Sequence, residues 1–404
     1  MVVGAGHAGG AVAALLRQYD FRGPLTLIGA EGVPPYQHPP LSKSWLKSDG
    51  DFANLLLRPT AFYSANSIDL RLSCRVSAID PAGHMVELTS GEKISYDRLV
   101  LATGSRGRSL PVPGHDLTGV LEVRTLGDAD RLRMRLHPGI RIAVIGAGYI
   151  GLEVAASVCM LGGSVVVIER EARVMARVAS KRLSEFLHDR HAAAGVRIML
   201  NATVEAIEGN HGRVAAVRLS GGEAIACDAV VIGIGVEPDD TLARAAGVVC
   251  SDGVIVDPEA RTSDPAIHAI GDCTQRPLKL YGRTCRLESV PNALEQAKQA
   301  AAHLSGRPPP AHEVPWFWSD QYDVRLQMAG LPFDVAETVL RGDPHTGSFA
   351  IFHLREDGVV QAVEAVNAPA DFMGGRQMIA GRKRPTAETL RDVSHSMHEL
   401  AASG

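Results

Sequence analysis

Two stretches of this 404-residue chain have the residue types and spacing to hold a dinucleotide. They are Val2-Val3-Gly4-Ala5-Gly6-His7-Ala8-Gly9 and Ala143-Val144-Ile145-Gly146-Ala147-Gly148-Tyr149-Ile150-Gly151. Each reads apolar strand, then Gly-x-Gly-x-x-Gly, then an Ala-rich helix. In that pattern the first glycine makes a tight turn and the second lets the backbone approach a pyrophosphate. The third lets helix pack closely on strand. The bare pattern is weak, since a chain this rich in glycine yields roughly 0.4 chance matches. Context decides it, because an acid closes the next apolar run in both copies: Glu31 after Leu25-Thr26-Leu27-Ile28, and Glu169 after Val165-Val166-Val167-Ile168. Two complete units imply two bound dinucleotides, and bare glycine turns are the reading they displace. Glu169 can accept a ribose 2′-OH and would repel a 2′-phosphate, which favours NADH. The adjacent Arg170 would favour the phosphate instead, but the acid holds the strand-terminal position.

The elements that position these residues follow from the pattern along the chain. Residues 1–31 form strand, glycine loop, a helix through about Arg17, and a strand ending at Ile28. Residues 33–43 carry four prolines and must be a rigid extended loop. Ser42 is expected to cap a short helix holding Trp45 and Leu46. Stretches near 70–79 and 85–88 read as antiparallel strands, with a turn at Gly91. Leu99-Val100-Leu101-Ala102-Thr103-Gly104 is a buried strand running into a glycine turn, and residues 111–114 look like a linker. The second unit starts near Arg141 and ends at Val230-Val231-Ile232-Gly233, with strands near 197–200, 204–207 and 214–219 between. Ile267-His268-Ala269-Ile270-Gly271-Asp272 is another buried strand ending on an exposed acid, followed by a helix over 291–304. A hinge, Gly306-Arg307-Pro308-Pro309-Pro310, leads to paired strands at 349–354 and 359–366 and one amphipathic helix over 386–400. These last elements make a third, α+β region.

Composition narrows the class. Apolar residues make up 46% and charged residues 21%, ordinary for a globular protein, and the net charge of −4 argues against nucleic acid as the main partner. No charge-free stretch is long enough to span a membrane. Met1 opens directly into a short strand, so no signal peptide is expected, though a few residues upstream are. The six cysteines stand at least twelve residues apart, which excludes a local dithiol redox centre and a compact zinc site. Dispersed reduced thiols fit a cytoplasmic protein.

With Ala102-Thr103-Gly104 and Gly271-Asp272 added to the two fingerprints, the chain resembles the flavoprotein reductases that bind two dinucleotides. Pro39-Pro40-Leu41-Ser42-Lys43, Arg286-Leu287-Glu288-Ser289-Val290-Pro291-Asn292-Ala293 and Pro315-Trp316-Phe317-Trp318-Ser319-Asp320-Gln321 narrow the resemblance. These blocks are similar to those of FAD-dependent, NADH-using ferredoxin reductases of bacterial monooxygenase systems, the putidaredoxin-reductase-like group. The resemblance covers essentially the whole chain. It implies an α/β fold with two Rossmann-like domains and a C-terminal α+β domain. The expected boundaries are 1–107 plus 237–307 for FAD, 108–236 for NAD, and 308–404 for the last domain.

The resemblance also implies site roles. Gly4, Gly6, Ala8 and Gly9 would hold the FAD pyrophosphate, and Glu31 the adenosine ribose, although the family's acid often stands where Ala30 is here. Ala102, Thr103, Gly104, Gly271 and Asp272 would line the flavin side, with Asp272 on the ribityl chain. Val76, Arg124 and Val290 align with further FAD contacts. Val290 opens a helix whose positive end would face the flavin. Gly146, Gly148, Tyr149, Ile150, Gly151 and Glu169 would hold NADH, with Tyr149 covering the nicotinamide. Lys43 would stand beside the flavin and pair with Glu153, and Trp318 would line the electron route to the partner; these three are the catalytic candidates. No metal is implied. Alone, each would read more plainly, as a surface charge, strand-end packing or core aromatic.

The implied partner is a [2Fe–2S] ferredoxin, steered by local positive charge at Lys279, Arg283, Lys298, Arg376, Arg382, Lys383 and Arg384, and feeding a cytochrome monooxygenase. Reduction of rubredoxin or another small acceptor is the alternative within enzymes. A non-catalytic NADH-sensing flavoprotein is the alternative outside them.

Overall fold

The computed structural model describes residues 1–48 and 50–402. The chain folds as two compact units, one of Met1–Gln37, Asp51–Arg106 and Glu237–Phe317, the other of His38–Gly50, Gly107–Val236 and Trp318–Gly404.

The first unit is built on a five-stranded sheet in the order Ile267–Ala269, Leu99–Leu101, Val2–Val3, Leu25–Ile28, Ile68–Arg71. Every pairing in it is parallel. Its inner strands Val2–Val3 and Leu99–Leu101 are short apolar runs because both faces are covered there. One face carries the helices His7–Gln18 and Val290–Leu304, which meet through Val12, Ala13, Ala297, Ala300 and Ala301, all fully buried. Alanines there let two helices lie close to one sheet. The other face is covered by the antiparallel strands Val76–Asp80, Met85–Leu88 and Lys93–Ser95, whose Val76, Ile79, Val86 and Leu88 join Val3, Ile28, Leu99 and Leu101 in one cluster. The stretch near 70–79 is therefore not one antiparallel strand. Its start belongs to Ile68–Arg71, which pairs parallel with Leu25–Ile28, and only Val76–Asp80 is antiparallel.

The second unit repeats the arrangement with the order Arg197–Met199, Ser164–Ile168, Arg141–Ile145, Ala229–Ile232, Val120–Leu121, again all parallel. Its fingerprint helix, Tyr149–Met160, is apolar on nearly every side and buries eight consecutive residues, Gly151 to Val158. The C-terminal segment forms an antiparallel sheet ordered Trp316–Gln321, Val324–Gly330, Val360–Val366, Ser348–Arg355, Val335–Asp343. Sequence periodicity found two of these five strands as a pair. Val360–Val366 is buried at every position and contains Glu364, whose carboxylate accepts the N–H and hydroxyl of Ser180, the cap of helix Lys181–Ala193.

Two local expectations fail for tertiary reasons. Residues 386–400 are not one helix but two, Ala387–Arg391 and Met397–Ala402. The buried Arg341 guanidinium accounts for the break, donating to the carbonyls of Leu390, Asp392 and His395 while pairing with Asp371 at 2.7 Å. Ser42 does not cap the Trp45 helix. That helix is Ser44–Lys47, with Lys43 at its cap position and no side-chain cap, and the Ser42 hydroxyl is used elsewhere.

Candidate functional site

The two fingerprints adopt the same backbone geometry, contact for contact. Gly4 N–H donates to Ile28 C=O at 2.9 Å, and Gly146 N–H to Ile168 C=O at 2.8 Å. Gly4 and Gly146 both sit at positive φ, +109° and +101°. A Cβ on Gly4 would stand 2.1 Å from Ala102 O, and one on Gly146 would stand 2.5 Å from Gly233 O. A Cβ on Gly9 would meet Gly4 O at 1.8 Å, and one on Gly151 would meet Gly146 O at 2.1 Å. Strand, turn and helix therefore touch with no room for a side chain, as the first and third glycines of the motif require. Gly148 differs. It has an ordinary φ of −81°, and a Cβ there would meet no protein atom within 4 Å. The chain's own packing does not demand glycine at this position, whereas close approach of a pyrophosphate does.

Both fingerprint helices start without a side-chain cap and without an acid in the first turn. An uncapped N-terminus at the carboxyl end of a parallel sheet presents backbone N–H groups and a positive dipole end, which suits an anion. The residues of each cradle fit a dinucleotide pyrophosphate.

The two acids do not occupy equivalent positions. Glu169 follows Ile168 directly, and its N–H donates to Met199 C=O. Its counterpart in the first unit is Gly29, whose N–H donates to Arg71 C=O. A side chain at 29 is shut out, because its Cβ would stand 2.6 Å from that of Ala5. The first unit's acid stands two positions further on, at Glu31, which accepts the hydroxyl of the buried Tyr36 at 2.9 Å, while Ala30 is exposed. Glu169 accepts the N–H groups of Ala147 (2.7 Å) and Glu171 (2.8 Å), which bind it to the glycine loop. Arg170 is exposed and pairs with Glu171 at 3.2 Å.

The carboxyl end of the adjacent strand brings Ala102 and Thr103 beside Gly4. Thr103 Oγ1 donates to Asp239 C=O at 2.6 Å, and Asp239 N–H returns a bond to Gly104 C=O at 3.0 Å. Gly271, at φ +83°, packs against the Ala8 methyl. Its N–H is held by Gln296 Oε1 at 2.8 Å, from the helix that Val290 opens and Ser289 caps. Asp272 accepts the Ser105 hydroxyl at 3.0 Å. Val76 faces inward, its side chain in the core with Val3 and Ile28. The nearby Cys273 is no nucleophile, since burial pushes its thiol up to about 11.

In the second unit, Lys43 and Glu153 pair at 2.6 Å. Glu153 is 2% exposed and also accepts the hydroxyls of Ser42 (2.5 Å) and Ser319 (2.6 Å). Ser157 Oγ donates to Ser42 C=O at 2.8 Å, which fixes the proline-rich loop on the fingerprint helix. Trp45 Nε1 donates to Asp130 at 2.9 Å, and the Arg133 guanidinium lies 4.6 Å over its ring. Tyr149 donates its hydroxyl to Met328 Sδ at 2.9 Å. Burial, with the charges of Glu364 and Glu153, pushes the phenol above its usual range. Ile150 is exposed, Trp318 is half-buried, and Arg124 leads into a helix capped by Thr125.

Sequence reasoning missed the roles of Ser42, Ser319, Gln321 and His191. A signal was available for two of them, since Ser319 and Gln321, two positions apart, share one face of the strand that begins Trp316-Phe317-Trp318.

All six cysteines are free, and no group of His, Cys, Asp or Glu among the described residues could hold a metal. No helix there is long and apolar enough to cross a membrane.

Residues 1–297 match the pyridine nucleotide-disulphide oxidoreductase family, and residues 316–401 match a reductase C-terminal domain. The chain is 51% identical to the probable ferredoxin reductase CtmF of Castellaniella defragrans, over 99% of this chain and 98% of that one. Among solved structures it is similar to the ferredoxin reductase for the CYP199A2 system of Rhodopseudomonas palustris, with TM-score 0.96 and 43% identity over 99% and 98% of the two chains. It is also similar to the reductase in the covalent putidaredoxin reductase–putidaredoxin complex, with TM-score 0.97 and 39% identity over 100% and 97%.

Proposed function

The chain belongs to the pyridine nucleotide-disulphide oxidoreductase family, and from that premise we propose that it is an FAD-dependent NADH:ferredoxin reductase. It passes electrons to a [2Fe–2S] ferredoxin that feeds an oxygenase, on our reading a cytochrome monooxygenase. The observation that carries this is the pair of cradles, one in each compact unit, in a chain with no paired thiols. Two dinucleotides without a dithiol suit electron transfer to a protein acceptor rather than disulfide reduction. The relatives' names point the same way. Six free cysteines suit the reducing cytoplasm, where we place the protein.

Bound FAD would supply a hydride acceptor for NADH and a donor of single electrons. The remaining chemistry belongs to the chain. The N-terminus of His7–Gln18, with Gly4, Gly6, Ala8 and Gly9, binds the FAD pyrophosphate. Glu31 takes its adenosine ribose, and Thr103, Gly104, Asp272 and Val290 orient its flavin end. Gly146, Gly148 and Gly151 seat the NADH pyrophosphate, and Glu169 accepts its ribose hydroxyl while repelling a 2′-phosphate. Tyr149 covers the nicotinamide and excludes water. Lys43, held by Glu153, presents a fixed positive charge beside the flavin.

The test is direct. The purified protein should carry one non-covalent FAD per chain. It should catalyse many turnovers of NADH oxidation with a [2Fe–2S] ferredoxin, and far fewer with NADPH. Turnover with rubredoxin but no ferredoxin would move the reading to the alternative acceptor. A single reduction without turnover would move it to an NADH sensor.

A further inference from the structure

Glu153 is one end of a buried chain of hydrogen bonds. Ser319 Oγ lies 2.6 Å from Glu153 Oε1, and Gln321 Nε2 lies 3.1 Å from Ser319 Oγ. His191 Nε2 lies 2.8 Å from Gln321 Oε1, and Tyr322 Oη lies 3.1 Å from His191 Nδ1. Ser319, Gln321 and His191 are 2% exposed or less.

A proton inventory gives this chain a direction. Glu153 carries the charge that pairs with Lys43, so it only accepts. The single Ser319 hydroxyl proton therefore goes to Glu153, and Ser319 must accept from the Gln321 amide. That turns the Gln321 carbonyl toward His191, which must carry its proton on Nε2. Nδ1 is then left to accept the Tyr322 hydroxyl. Neutral His191 agrees with its surroundings: burial draws it down to about 4, opposed by the Gln321 bond and aided by the charges of Arg190 and His188. The Arg190 guanidinium lies 4.3 Å over the Tyr322 ring and pairs with Asp323. The amide in the middle makes a poor proton conductor, so the chain serves orientation rather than proton export.

We propose that Ser319, Gln321 and His191 are positioning residues for the Lys43–Glu153 pair, and that the charge on Glu153 sets the tautomer of His191 through the two side chains between them. The catalytic importance of the pair rests on the reductase reading above; the tautomer coupling does not.

The experiment is ¹⁵N NMR of histidine-labelled holoenzyme, with the His191 signals assigned by their loss in His191→Gln. The native protein should show neutral His191 protonated on Nε2 at pH 7. In Glu153→Gln the new amide would donate to Ser319, freeing its proton to point the other way. Gln321 would then flip, and His191 should appear protonated on Nδ1. In Glu153→Gln combined with Ser319→Ala that reversal should vanish. A His191 tautomer that ignores Glu153→Gln overturns the proposal, as does an Nδ1 proton in the native protein. In rapid-mixing experiments, Ser319→Ala should slow flavin reduction by NADH about tenfold, the worth of one hydrogen bond to a charged group. The Kd for NADH should be unchanged, and Ser319→Thr should retain the native rate. An unchanged rate in Ser319→Ala would remove the positioning role. If NADH reduces no flavin even in the native enzyme, the reductase reading fails while the NMR still decides the coupling.

Discussion

Single residues separate what the fold demands from what a ligand demands. Gly151 and Gly148 lie three positions apart in one motif, yet only Gly151 is enforced by protein contacts. Gly151→Ala should destabilise the second unit by about 3 kcal/mol through overpacking against Gly146. Gly148→Ala should leave the melting temperature within a degree or so and raise the Kd for NADH at least about tenfold, by filling the pyrophosphate approach. Thermal melts beside calorimetric titration with NADH would separate them, and equal losses of stability would contradict the assignment. Glu169 ties the glycine loop, and on our reading it also takes the ribose of NADH. Glu169→Ala should therefore narrow the NADH preference in kcat/KM and also loosen the glycine loop that its carboxylate ties. An unchanged coenzyme ratio would exclude Glu169 as the selector.

At the scale of elements, Arg341 holds the break between the two C-terminal helices. It lies on strand Val335–Asp343, is 6% exposed, and answers three carbonyls where the C-terminal helix is interrupted. Arg341→Leu would strand both those carbonyls and Asp371, at a cost of about 3 kcal/mol or more. Urea denaturation should show that loss, and hydrogen exchange should locate it in residues 387–402. Protection unchanged in that segment would mean the break has another cause. The fingerprint helices were legible because glycine spacing and alanine content act locally. The helix break was not, because its cause lies about fifty residues upstream.

For the whole molecule, two buried histidines contribute to the response to acid. His191 and His268 are each 1% exposed, and burial holds both near 4. Both values lie below the unfolded value of about 6.5, so the unfolded chain binds more protons between these limits. Stability should be fully present above about pH 6.5 and fall as pH drops toward 4, by on the order of a few kcal/mol in all. Neither ring nitrogen of His268 has a hydrogen-bond partner among the described residues. His268→Leu should thus flatten the profile without loss at pH 7, and a profile identical to the native one would refute this origin. Charge enters the encounter with the partner as a prediction. The chain is net negative, and Lys298 and Arg384 are paired with Glu313 and Asp357. Turnover with an acidic ferredoxin should fall as salt rises, while ferricyanide reduction changes little. Arg382→Glu should reproduce that split, and parallel loss of both activities would refute electrostatic docking.

By itself the sequence determined the two nucleotide cradles, their order along the chain, and the Lys43–Glu153 pair through a resemblance carried by short blocks. Glycine at a turn or at a helix–strand contact is a local steric requirement, and it is therefore written locally. Tertiary structure alone decided the uses of Ser42, Ser319, Gln321 and His191. A serine caps a helix or serves a buried carboxylate according to what packs against it, and Glu153 lies more than a hundred residues from both Ser42 and Ser319. The same holds two positions before Glu31. One methyl group, on Ala5, closes position 29 to any side chain, and only the folded sheet brings the two together.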